Sequence, residues 1–112
     1  LKKSKRDKLE RAGFVVGDTQ AFLDLSDAEM AMVDARVALA QALRHRRNRV
    51  LKISQAAFAE RIGSSQSRVA KMEAGDPSVS LDLLMRSLVR SGSTLHEVGQ
   101  VISDAEPQRA AI

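Results

Sequence analysis

The sequence contains no cysteine, tryptophan or tyrosine, and its aromatic side chains are three phenylalanines, Phe14, Phe22 and Phe58. Without cysteine there is no disulfide framework, no thiolate metal site and no cysteine nucleophile. With so few aromatics a core has to be assembled from Leu, Val, Ile, Ala and Met, which suits close-packed helices. Strand signals are also scarce: Phe14-Val15-Val16 is the only short β-branched run, and no alternation of apolar and polar residues persists over a useful length. Every apolar run is interrupted by charge, so no membrane span is expected, and the basic start lacks the apolar stretch of a signal peptide. A cytoplasmic protein is the expectation. The two histidines, His45 and His96, lie far apart, and there is no HExxH, no glycine-rich phosphate loop and no nucleophile elbow. Catalysis, a cofactor and a bound metal are therefore not expected.

What is present is an uneven distribution of charge over 112 residues, a length that suits one modest core. The formal net charge is only +4, but residues 1–11 carry six lysines or arginines against two acids, and the charged residues of 12–35 are all acidic. Arg36, Arg44, Arg46, Arg47, Arg49 and Lys52 follow with no acid among them. Such a block is what phosphate contact requires, although basic residues that offset a helix macrodipole account for one or two of these arginines without any ligand.

The helical signals are strong and local. Ser26 and Glu29 have capping-box spacing, flanked by Leu25 and Met30 as a hydrophobic staple. The helix they open is expected to run to about Asn48, with Met30, Val33, Val37, Ala40, Leu43 and Leu39 on its inner stripe. A short helix from Ser54 or Gln55 to Ile62, with Ala56, Phe58, Ala59 and Ile62 inward, stops at Gly63, which takes a left-handed backbone without steric penalty. Ser65 caps the next helix, 66–73, whose Val69 and Met72 face a core while Gln66, Ser67, Ala70 and Lys71 face away. Asp76-Pro77 breaks the chain, Ser80 caps a helix of 81–91 with Leu81, Leu84, Met85 and Leu88 on one face, and Gly92 closes it. Thr94 and Glu97 repeat the capping-box spacing and open a last helix carrying Leu95, Val98, Val101 and Ile102.

Two short helices joined at a glycine, the second polar on its outer face, have the layout of a helix-turn-helix. The frame Gln55, Ala59, Gly63, Ser65-Gln66-Ser67, Val69, Glu73 and Gly75 resembles the phage-repressor (Cro and Xre-like) family. The resemblance implies an all-α, compact five-helix domain over 26–103 with the motif at 54–75. Residues 1–25 would form a basic extension of one or two short helices, and 104–112 a tail. It implies a sequence-specific regulator of double-stranded DNA, a repressor acting as a homodimer. Gln66, Ser67, Arg68 and Lys71 would read bases. Gln55, Ser65, Arg44, Arg46, Arg47, Arg49 and Lys52 would hold phosphates, and Leu95, Val98, Val101 and Ile102 would supply the dimer contact. In this family an acid at the Glu73 position pairs with an arginine of the preceding helix. Lys52 stands where a turn glycine is common, and Ala74 where a phosphate-contacting residue often sits. A softer resemblance, over 25–62, is to antitoxins partnered with RelE or HigB-type toxins, which offers an alternative: an antitoxin or adaptor that holds a toxin-like protein.

Overall fold

A computed structural model describes residues 26–105, and among them all regular structure is helical. There are five α-helices: α1 (Asp27–His45), α2 (Gln55–Ile62), α3 (Gln66–Glu73), α4 (Leu81–Arg90) and α5 (Leu95–Ala105). A π-helical turn, Arg46–Leu51, continues α1. The expected helices of residues 1–25 and the tail from 106 onward lie outside the described residues. The chain divides into two units at Val33 and Asp34, within α1.

In the first unit, the start of α1 is set by its capping box. Glu29 N–H donates to Ser26 Oγ at 3.1 Å, and Ser26 N–H donates to Glu29 Oε1 at 3.0 Å.

In the second unit the core is formed by Leu39, Leu43, Phe58, Ala59, Ile62, Val69, Met72, Val79, Leu84, Leu88 and Val98. On α1 to α4 these residues recur at three and four, Val79 of the α3–α4 turn and Val98 of α5 join them, and the core closes without an aromatic cluster. The stripe of α1 that enters this core is centred on Leu39 and Leu43, both fully buried, with Ala40 beside them. Val37, expected on that stripe, is 46% exposed. Likewise Ala56 of α2 faces solvent, and Phe58, Ala59 and Ile62 do the packing.

Each helix start in this unit is satisfied by a side chain three residues back. Ser54, Ser65 and Ser80 accept from the backbone N–H of Ala57, Arg68 and Leu83 at 3.1, 3.2 and 3.0 Å. Thr94 and Glu97 complete a reciprocal box at α5, at 3.1 and 2.8 Å. These bonds match orphan backbone donors to local oxygens, which is why those at Ser65, Ser80 and Thr94 were readable from spacing alone, while the Ser54 cap was not foreseen.

The end of α1 differs from expectation. The α-helix stops at His45 and the next turn widens to the i→i+5 register, which rotates successive side chains away from their α-helical directions. Lys52 then ends the element in the left-handed region, φ 55 and ψ 47, with its N–H on Arg47 O. A side chain there costs about 1–2 kcal/mol relative to glycine. At the other end of the unit, Gly92 has φ 111, and a Cβ at that position would lie 2.5 Å from Arg46 Nη2. Glycine is thus needed for the guanidinium as well as for the turn.

The carboxylates that cap and close turns give the fold an acid limit. Glu29 and Glu97 sit below the usual glutamate value of 4.5, and Asp76 below the usual aspartate value of 3.8. Each is lowered chiefly because its carboxylate accepts a backbone N–H, from Ser26, Thr94 and Ser78 respectively. A depressed folded-state pKa contributes stability above the unfolded-state value and loses it as pH falls through the folded-state value. The urea midpoint is therefore expected to be flat from neutrality to about pH 5 and to decline below the usual carboxylate range. Substituting Glu29→Gln, Asp76→Asn and Glu97→Gln together should flatten that decline. An unchanged acid limb in the triple variant would assign the effect to other groups.

Candidate nucleic-acid interface

The chain turns between α2 and α3 at Gly63, φ 70 and ψ 41, and the Ser64 N–H reaches back to Ala59 O at 2.8 Å. That six-to-one bond closes the helix end around a left-handed residue. Arg90 of α4 adds a long-range contact there, its Nη1 lying 3.4 Å from Ile62 O. The turn is thus pinned by its own backbone and by the helix beneath it.

On α3, Val69 and Met72 are fully buried, and Ser87 Oγ donates to Met72 Sδ at 3.4 Å. Gln66, Ser67, Arg68, Ala70 and Lys71 are all exposed. Ser65 Oγ and Ser67 Oγ are hydrogen-bonded at 3.3 Å, with either hydroxyl able to donate. Lys71 lies close enough to Asp76 to help lower its pKa. One face of this helix therefore anchors it, and the other presents amide, hydroxyl, guanidinium and ammonium groups, donors that match base edges.

The C-terminal residue of α3, Glu73, gathers the surrounding elements. Its Oε2 accepts from Arg47 Nε at 2.5 Å, and its Oε1 accepts from Arg47 Nη2 at 3.0 Å and from Gln55 Nε2 at 3.1 Å. Arg47 Nη1 donates to Ile53 O at 3.0 Å. The carboxylate of Glu73 is 5% exposed and the Arg47 side chain 14%. The Glu73 hydrogen bond raises the guanidinium pKa further above its already high value, so Arg47 is a permanent cation. This bidentate pair fastens α3 to the π turn and to the entry of α2.

The basic block separates into two sets. Arg36 Nε donates to Val79 O at 3.2 Å. Arg46 donates from Nε to Ser91 O and Oγ at 3.2 and 3.0 Å, and from Nη2 to Ser91 O at 2.9 Å, closing the end of α4. With Arg47 on Glu73, three guanidinium groups point into the unit. Arg44, Arg49 and Lys52 are exposed. The structure thus places Arg46 and Arg47, both expected on phosphates, in internal contacts. Adjacent side chains on a helix point in different directions, so Arg46 reaches Ser91 and Arg47 reaches Glu73. The signal that was available for Arg47 is the single acid, Glu73, on an otherwise neutral or basic reading helix.

Gln55 is half-buried at the entry of α2, and Ser65 is exposed at the cap of α3. On α5, Val98 is buried and Val101 packs against the core, so these two face inward, whereas Leu95 is 77% and Ile102 38% exposed. His45 and His96 are both exposed, one ending α1 and the other in the first turn of α5. No group of acidic or histidine side chains among the described residues is arranged to hold a metal ion. No helix among them is long and apolar enough to cross a membrane.

This arrangement is a helix-turn-helix of the DNA-binding kind, formed by α2 and α3 about the turn at Gly63. Residues 39–86, from within α1 through most of α4, match the family model described as helix-turn-helix. That segment is a helix-turn-helix similar to those of the Cro and Xre-like family. Comparison with curated proteins and with solved structures returned no match.

Proposed function

We propose that the protein is a sequence-specific transcriptional regulator that occupies its operator as a homodimer and represses by doing so. The observation that carries this reading is α3 itself, locked at its far end by Glu73 and buried along Val69 and Met72, with an outer face that is polar apart from Ala70. A helix held so rigidly presents its side chains to a groove in one register.

Gln66 is assigned to adenine, whose N7 and N6 match the donor and acceptor of an amide, and Lys71 to guanine O6 and N7. Ser67 and Arg68 complete the reading face. The phosphate contacts fall to Arg44, Arg49, Lys52, Gln55 and Ser65. Gln55 fits this role because its amide has two N–H groups, and Glu73 takes one of them. Arg46 and Arg47 leave the phosphate set, since their guanidinium groups are occupied within the domain.

The test is a random-site selection followed by Gln66→Ala. The variant is expected to lose preference at one base position, worth about 1–3 kcal/mol, with the others intact. Equal loss across all sequences would remove Gln66 from the readers. A parent chain that enriches no sequence at all would favour the alternative role, holding a protein partner.

A further inference from the structure

The buried polar residues among those described are Ser87, on α4, and Ser91, its C-cap one turn later, and each reaches a different element. Ser87 Oγ donates to Met72 Sδ on α3. Ser91 receives the forked guanidinium of Arg46, and its own Oγ donates to Leu88 O at 2.7 Å. The next residue along the π turn, Arg47, holds Glu73, which follows Met72 on α3. The contacts thus close a circuit through three elements: Met72 and Glu73 on α3, Ser87 and Ser91 on α4, and Arg46 and Arg47 on the π turn. The same arginine governs the corner into α5. Gly92 passes so close that a Cβ there would meet Arg46 Nη2, and the Arg46 charge adds to the main effect of the Thr94 N–H in lowering the Glu97 pKa.

Beyond that corner, α5 meets the core through Val98 and Val101. Apolar contact is non-directional, so it fixes the distance of α5 from the core better than its direction. The charge-assisted fork of Arg46 is directional. In a dimer paired through α5, the spacing of two half-sites follows from how α5 is turned relative to α3 within each protomer. We propose that Arg46 is a specificity-determining positioning residue: by joining the α4–α5 corner at Ser91 to the turn that clamps α3, it sets the one spacing of inverted half-sites that the dimer accepts. Arg46 does so without touching DNA. This rests on the reading above of a DNA-binding homodimer, with its two-fold contact on α5.

The experiment offers the full chain a duplex library in which its selected half-site is repeated in inverted orientation across spacers of graded length. The parent is compared with Arg46→Met, Arg46→Lys and Val79→Ala, with Tm measured in parallel. Arg46→Met removes every donor to Ser91, whereas Arg46→Lys keeps the cation at the end of α4 and loses only the fork. Both should bind the parent's half-site, with the preference for its spacing over spacings one base pair longer or shorter reduced several-fold. Their slope of log affinity against log salt should equal the parent's. Val79→Ala truncates the core and leaves Arg46 in place, so it should lower Tm and keep the parent's spacing. A spacing preference as sharp as the parent's in either Arg46 variant that folds overturns the proposal. So does equal broadening in Val79→Ala, which would make the effect one of lost stability. A reduced salt slope in Arg46→Met overturns it as well, since that is the mark of a phosphate contact. A parent that selects no DNA, or only single half-sites, defeats the homodimer reading and this proposal together. A parent with one preferred spacing, shared unchanged by the Arg46 variants, defeats this proposal alone.

Discussion

Replacing Glu73 with alanine is expected to destabilise the domain by about 3–5 kcal/mol, because it leaves a largely buried guanidinium with no carboxylate to compensate it. Arg47 would keep its bond to Ile53 O but lose both bonds to Glu73, and Gln55 would lose its acceptor. Against the 5–15 kcal/mol roughly typical of a small domain, that is about a fifth of the total or more. A Tm lower by roughly 12 °C or more follows, measurable by far-ultraviolet circular dichroism. Arg47→Ala should match it in size, because the partner it abandons, Glu73, is the more deeply buried of the two. The pair acts as a unit, so Arg47→Met combined with Glu73→Leu should recover most of the loss, and the double-mutant cycle should be strongly non-additive.

The same experiment separates two roles for Arg47. A phosphate-contacting arginine would leave stability nearly unchanged and lower the salt slope by about one. A clamp arginine does the reverse: the folded fraction falls, while the salt slope of the molecules that remain folded stays at the parent's value. Full stability of Arg47→Ala with a reduced slope would return Arg47 to the phosphate set and remove the mechanism by which α3 is positioned.

The difference between these roles marks where sequence reasoning reached and where it stopped. Caps at Ser26, Ser65, Ser80 and Thr94 were legible because each joins an oxygen to a backbone N–H three residues on, a distance fixed by helix geometry. The turn at Gly63 and the inward Val69 and Met72 were legible for the same reason. The partners of Arg36 and Arg46 lie 43 and 45 residues away, and nothing local selects one acceptor over another, whereas Glu73, 26 residues from Arg47, was legible as an arginine's partner only through the family resemblance. On α1 the apolar residues fit more than one helical stripe, so periodicity admitted Val37 to the core where packing chose Leu39 and Leu43. The left-handed turn at residue 52 was legible only through the family resemblance, in which a turn glycine is common at that position, because lysine itself announces no such backbone.

Leu95→Asp is expected to convert the proposed dimer to a folded monomer and to weaken operator binding by roughly 10²-fold or more, since two linked half-sites become one. Leu95, Gly99 and Ile102 fall at i, i+4 and i+7 on α5, and all three are exposed. A side chain built at Gly99 would meet nothing within 4 Å, so a second copy can approach the helix backbone closely between two apolar residues. The substitution is chosen so that the fold survives it. Leu95 contributes nothing to the buried core, and an acid at the first position of a helix interacts favourably with the macrodipole. Val98→Asp is the contrasting case: it places a charge inside the core and should unfold the domain instead of dissociating it. Sedimentation velocity distinguishes the outcomes, with circular dichroism confirming helix content. A Leu95→Asp variant that sediments as the parent does, and binds its selected site as tightly, would move the two-fold contact off α5. A variant that is monomeric yet binds with undiminished affinity would show that one reading helix suffices.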